Sequence, residues 1–155
     1  MENKIISIVS GGFDPIHPGH IMMMKDCRKF SDYLIVGVNS NNWLCKKKGN
    51  FFMDIKHRVY VIENLGVVNE VMEFDDDEKG SASNLLIKVR RKFNNSKIIF
   101  ANGGDRSDPT KILEFDTCQK YKIELKFGIG GNHKESSSSD LLKRWEEHLN
   151  NKTKD

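Results

Sequence analysis

Apolar runs and amphipathic stretches alternate along this chain, and no other feature restricts its fold so strongly. Residues 4–10, 33–39, 67–74, 97–101 and 123–127 each read as a strand. Between them, residues 18–30, 54–64, 83–93 and 108–121 carry helical spacing, and a last helix is expected over 139–149. Residues 40–44 suit a short helical turn and residues 46–52 a basic loop. Strand and helix in strict alternation imply a parallel sheet with helices on both faces and right-handed crossovers. The expected fold is therefore α/β: a single Rossmann-like domain over residues 1–149 with about five strands, followed by a polar tail over 150–155.

Ligands of such sheets bind beyond the carboxyl ends of the strands, near the switch in strand order. Gly11-Gly12, Asn39, Gly103-Gly104 and Gly128 all fall just after expected strands, so they converge on one edge. The richest of these junctions is Gly11-Gly12-Phe13-Asp14-Pro15-Ile16-His17-Pro18-Gly19-His20. Its two glycines let the backbone approach a ligand closely. Pro18 fits the first helical turn, where its missing N–H has no intrahelical partner. His17 and His20 then project to one side, and free N–H groups, a positive helix end and two imidazoles suit a phosphate chain. Each histidine could instead cap or pack locally. A zinc pair is discounted, because no carboxylate or Cys cluster nearby supplies further ligands. For Asp14 the sequence leaves open an Asx turn, the orientation of a lysine, or a share in holding Mg²⁺.

Three other stretches carry polar groups to the same edge. Lys46-Lys47-Lys48-Gly49 follows the second strand, with Arg58 ten residues beyond Lys48. Gly103-Gly104-Asp105-Arg106 follows the fourth, and reads either as a plain turn or as a pocket wall. Ser136-Ser137-Ser138-Ser139 immediately precedes the last helix, gathering hydroxyls and N–H groups at its positive end. The acidic residues 75–78 read as a solvated loop, and Trp43 as packing near the pocket. A net charge of +3 suits a small anionic substrate and is too weak to argue for nucleic acid. Cys27, Cys45 and Cys118 have no CxxC spacing and read as free thiols in a reducing compartment. No cleavable leader is visible and no apolar run approaches the ~20 residues of a membrane span, so a cytoplasmic location is expected.

These motifs carry a family resemblance. His17-Pro18-Gly19-His20 resembles the HxGH motif of the nucleotidyltransferase superfamily, and Gly11 to His20 its N-terminal signature in cytidylyltransferases, sugar-phosphate adenylyltransferases and coenzyme adenylyltransferases. The stretch from Asn39 through Lys48-Gly49 to Arg58 is similar to glycerol-phosphate cytidylyltransferases and heptose-phosphate adenylyltransferases, although His57 stands where Gln is common. Ser136 to Ser139 resembles the ISSS/T signature that holds the β- and γ-phosphates, with Ser136 replacing Ile. The likeness covers about residues 4–145.

The resemblance implies transfer of CMP or AMP from CTP or ATP to a phosphorylated polyol or sugar, with Mg²⁺ carried on the substrate phosphates and pyrophosphate released. It gives His17, His20, Lys48 and Arg58 catalytic roles. Gly11, Gly12, Phe13, Asp14, Gly104, Asp105, Ser137, Ser138 and Ser139 would bind nucleotide, while Lys46, Arg106 and Lys134 would be further phosphate or acceptor contacts. A nicotinamide mononucleotide or phosphopantetheine acceptor, or a nucleotide sensor without turnover, is the alternative. Neither nucleic acid nor membrane is expected as a partner. Relatives with such a domain are often homodimers, but the sequence leaves the base and the oligomeric state open.

Overall fold

The most apolar runs occupy the middle of the sheet. β1 (Ile5–Gly11) and β2 (Tyr33–Asn39) pair in parallel, from Ile6 opposite Tyr33 to Gly11 opposite Val38. β3 (Glu70–Phe74) adds outside β2, while β4 (Lys97–Ala101) and then β5 (Glu124–Lys126) add beyond β1. The sheet is five-stranded in the order β3-β2-β1-β4-β5. Its order reverses at β1, so the crevice between the carboxyl ends of β1 and β4 is the place for a ligand. This computed structural model describes residues 3–103, 108–130 and 137–154.

Strand periodicity sorts the core into two layers. Ile6, Ile8 and Ile35 face α4 (Ser83–Lys92) and α5 (Phe115–Lys120), packing against Leu85, Leu86, Val89 and Cys118. Val9, Leu34, Val36 and Val38 face the other way, against Met24 and Cys27 of α1 (Pro18–Phe30) and Ile62 of α3 (Ile55–Glu63). Ser7, on the α1 side of β1, is fully buried and shares a hydrogen bond of 2.7 Å with Ser31. Cys27 and Cys118 are buried thiols that burial pushes up to about 12, so they are inert packing groups, while Cys45 is half-buried. Among the described residues no helix is long and apolar enough to cross a membrane.

The α/β fold is as expected, but some boundaries differ. Residues 67–69 turn before β3 begins, with the Val68 N–H donating to the Leu65 carbonyl. Asp108 and Pro109 do open a helix, yet it is a single 3₁₀ turn (Pro109–Lys111) that stops at the extended, buried Ile112 before α5 starts. The anticipated turn at 40–44 is a full helix, α2 (Asn41–Lys48), which takes in the lysine run and ends at left-handed Gly49. The last helix, α6 (Ser138–Lys152), begins one residue earlier than expected and runs past 149.

Close approach of α4 to the sheet depends on Gly37, where an added Cβ would lie 2.2 Å from Leu85 Cδ2. Gly37→Ala should therefore cost about 1–3 kcal/mol through overpacking. Combined with Leu85→Ala, the loss should fall short of the sum of the two single losses by at least ~1 kcal/mol, because the second change makes room for the first. Urea denaturation of the four proteins measures this coupling; simple additivity would show that α4 does not rest on Gly37.

Candidate active site

At the carboxyl edge of β1, β2 and β4 lies a cavity of about 410 Å³. The end of β1 and the β1–α1 junction give it Ser10, Gly11, Gly12, Phe13, His17 and His20; α2 gives Trp43, Leu44, Lys47 and Lys48; the start of α6 gives Ser137, Ser138 and Ser139. Three of the four motif regions thus meet around one space, and Gly103 of the fourth is not on its wall.

The two histidines are fixed by the helix they begin. His17 is the N-cap of α1, and its Nδ1 accepts the Gly19 N–H at 3.1 Å. His20 Nδ1 reaches back to accept the His17 N–H at 3.2 Å, completing a reciprocal capping box. With both Nδ1 atoms acting as acceptors, a neutral ring of either residue carries its hydrogen on Nε2. The rings stack with centroids 3.8 Å apart, and Phe13 meets His20 edge-on at 5.0 Å. Burial, then the charges of His17 and Lys48, lower the His20 pKa to about 4, and burial lowers that of His17. Two neutral imidazoles therefore present Nε2 donors.

The free backbone N–H groups expected at the start of α1 are not there. Pro18 has none, the Gly19 N–H is capped by His17, and the His20 N–H donates to the His17 carbonyl at 3.0 Å. The imidazoles, not the helix end, are left for an anion. Likewise the glycine pair makes room first for the protein itself. A Cβ at Gly11 would stand 3.1 Å from the Phe13 ring, and one at Gly12 would stand 2.8 Å from Leu44 Cδ2. Phe13 adopts a left-handed φ of 50°, a strained conformation held by its buried ring.

Because α2 continues through the lysines, helical spacing decides which of them faces the cavity. Leu44, Lys47 and Lys48 share a face at i, i+3 and i+4, and all three line the cavity. Lys46, two residues from Leu44, projects the other way and is not on the wall. Lys47, which the sequence did not separate from its neighbours, holds its Nζ 4.6 Å from the centroid of the Trp43 ring. Trp43 in turn donates its indole N–H to the Gly80 carbonyl at 3.0 Å.

Arg58 and Asp14 are placed elsewhere than expected. Arg58 is only 1% exposed, because α3 points it beneath the cavity floor. Its Nε donates to the Met53 carbonyl, Nη1 to the carbonyls of Gly12 and Asn39, and Nη2 to Asn41 Oδ1, all at 2.7–2.8 Å. Asp14 is also 1% exposed, and its carboxylate oxygens take the N–H groups of Phe52 and Met53 at 2.6 Å each. Neither lines the cavity. Arg58 thus braces the strand ends from outside the cavity wall, and the Asp14 carboxylate is engaged by backbone N–H groups.

At the far wall, α6 starts from the Ser137 side chain, which accepts the Asp140 N–H at 3.1 Å. Ser138 Oγ donates to the Pro15 carbonyl at 2.7 Å and so ties α6 to the β1–α1 junction. The N–H groups of Ser138 and Ser139, in the first helical turn, point out of the helix end. The remaining wall comes from Asn39, Gly80, Ala82, Phe100, Asn102 and Glu114. Gly80 and Ala82 owe their place to Asp77, which folds its loop by accepting the N–H groups of Lys79 and Ser81 at 3.0 and 2.8 Å. Of this set only Asn39 was legible in the sequence, as a strand end; Glu114 carried no signal there. Gly104, Asp105, Arg106, Lys134 and Ser136 lie outside the described residues. Among the described residues no group of three or more His, Cys, Asp or Glu could hold a metal ion.

Two consequences can be measured. Arg58→Lys leaves several buried carbonyls short of a donor and should cost at least ~2 kcal/mol, whereas Lys46→Ala should stay within ~0.5 kcal/mol; equal urea midpoints would remove the brace. Separately, the folded protein holds the His20 proton more weakly than the unfolded chain, whose histidine titrates near 6.5. This contribution to stability is whole above pH 6.5 and declines as pH falls toward about 4. Between those values His20→Asn should show a flatter decline than the parent in urea titrations.

The family model described as cytidylyltransferase-like matches residues 8–146. The bifunctional protein HldE of Haemophilus influenzae is 32% identical over 122 residues, covering 72% of this chain and 25% of that protein. This chain thus spans a quarter of the length of the curated relatives it matches. A lipopolysaccharide core biosynthesis protein from Thermoplasma volcanium superposes with a TM-score of 0.60 at 25% identity, covering 81% of this chain and 94% of the other. A bifunctional NMN adenylyltransferase/ADP ribose pyrophosphatase from Francisella tularensis shares the fold, with a TM-score of 0.66 at 18% identity over 93% of this chain and 42% of that one. The match runs from the first strand into the last helix, and the chain belongs to the cytidylyltransferase-like family of nucleotidyltransferases.

Proposed function

We propose that this chain transfers CMP or AMP from CTP or ATP to the phosphate of a polyol or sugar, releasing pyrophosphate. The observation that carries this reading is the pair of imidazoles whose Nδ1 atoms are tied to the backbone, in one cavity with Lys47, Lys48 and the serines of α6. An acceptor phosphate oxygen attacks the α-phosphorus, the bond from that phosphorus to the bridging oxygen breaks, and pyrophosphate leaves with the electron pair. No protein nucleophile is needed; the protein positions the groups and stabilises spreading negative charge. His17 and His20 donate from Nε2 to oxygens of the α- and β-phosphates. An arriving polyphosphate reverses the field that keeps these rings neutral, favours their protonated form and strengthens both hydrogen bonds. Lys47 and Lys48 offset charge from α2. Ser139 and the first N–H groups of α6 hold the departing pyrophosphate at a positive helix end. Mg²⁺, when bound with the nucleotide, would neutralise part of the charge on its phosphates.

A sugar-type acceptor is supported by the Thermoplasma volcanium protein, whose role lies in lipopolysaccharide core synthesis. The Francisella tularensis NMN adenylyltransferase keeps a coenzyme acceptor as the second reading. Pyrophosphate release with CTP and with ATP, against a panel of polyol phosphates, sugar phosphates, nicotinamide mononucleotide and phosphopantetheine, tests both. His20→Ala should lower kcat more than ~10²-fold without unfolding the protein, since its hydrogen bond strengthens in the transition state. Lys48→Ala should raise the nucleotide KM or lower kcat while Lys46→Ala changes neither. Near-normal turnover by His20→Ala would remove the imidazole from the mechanism.

A further inference from the structure

We propose that Glu114 selects the acceptor: its carboxylate receives hydroxyl groups of an uncharged polyol or sugar moiety and turns away acceptors that carry a carboxylate there. This rests on the nucleotidyl-transfer reading above. Among the described residues lining the cavity, Glu114 is the one acidic side chain. The other charged or titratable wall groups are His17, His20, Lys47 and Lys48. A carboxylate facing a triphosphate and an acceptor phosphate would only repel them, so it belongs to the part of the cavity that holds no phosphate.

The fold gives it such a place. Glu114 precedes α5, on the side of the cavity bounded by the loop before α4, and its Oε1 accepts the Ala82 N–H at 2.9 Å. That bond fixes the carboxylate and uses one of its roughly four lone-pair sites, leaving the others for ligand hydroxyls. Ala82 is beside it, and Phe100 and Trp43, whose indole is pinned to Gly80, line the same cavity. Apolar surface next to a fixed carboxylate suits the C–H face and hydroxyls of a polyol. The phosphate of the same acceptor then reaches toward the imidazoles and lysines. An acidic group in place of a hydroxyl would set two carboxylates against each other in a partly desolvated site.

The test uses acceptor pairs that differ only in a hydroxymethyl group against a carboxylate: glucose 1-phosphate with glucuronic acid 1-phosphate, and glycerol 3-phosphate with 3-phosphoglycerate. Wild type and Glu114→Gln are compared by pyrophosphate release, by calorimetric binding of each acceptor, and by nucleotide affinity. Gln keeps an oxygen for the Ala82 N–H, so the melting temperature should hold. Wild type should prefer the hydroxyl member by ~10²-fold or more in kcat/KM, and Glu114→Gln should shrink that preference at least ~10-fold, mainly through KM, with nucleotide Kd unchanged. An unchanged preference, or a shift in nucleotide Kd alone, overturns the assignment while the reaction stands. If wild type releases no pyrophosphate with any acceptor, the nucleotidyl-transfer reading fails. The binding preferences of the two proteins for the same pairs then decide the role of Glu114 on their own.

Discussion

The geometry of this site hangs on a buried guanidinium. Arg58 gathers the carbonyls of Gly12, Asn39 and Met53 and the side chain of Asn41 around one cation, so the ends of β1 and β2 and the start of α2 are held at fixed spacing. Burial disfavours that charge, but the Asp14, Asp54 and Glu73 carboxylates act against the loss, and its donors are met by three backbone carbonyls and by Asn41 Oδ1, which also accepts the Ile55 N–H at 2.9 Å. Asp14 completes the arrangement from the opposite sign, ordering residues 52–53 through their N–H groups. Two charges absent from the cavity wall therefore decide where its wall stands.

From that base the chemistry follows by constraint on hydrogen bonds. A capping box normally uses hydroxyl and carboxylate side chains; here imidazoles take both roles. Satisfying the helix end consumes the Nδ1 atoms and the backbone donors together, which leaves the Nε2 hydrogens as the polar groups offered outward. Burial and the close pairing of the two rings then favour their neutral form. The same junction is locked to the last helix by Ser138, so the histidines and serines, more than a hundred residues apart in sequence, share one frame.

The sequence made several of these elements legible for definite reasons. Alternating apolar runs and helical stretches give the parallel sheet, because runs buried on both faces need helices on both sides. His17 and His20 were visible because their spacing, Pro18 and the preceding glycines are local signals. Arg58 was visible as a residue but not in its role, since whether a cation meets phosphate or backbone carbonyls depends on the direction α3 takes. Lys48, singled out in the sequence, does face the cavity, but the loop expected at 46–52 hid the helical phase that brings Lys47 inward beside it and sends Lys46 out. Asp75 to Glu78 read as solvated, yet Asp77 shapes the loop that carries Gly80 and Ala82 to the cavity.

By itself, then, the sequence determined the α/β class, the edge of the sheet at which the motifs gather, and the residue types found there, because periodicity, caps and turn residues act within a few positions along the chain. Tertiary structure alone decided which polar groups line the cavity. Asp14 and Arg58 are spent on backbone, while Lys47 and Glu114 face the cavity. That outcome depends on which buried carbonyls and N–H groups lack a partner once the strands are side by side, a requirement that exists only in three dimensions.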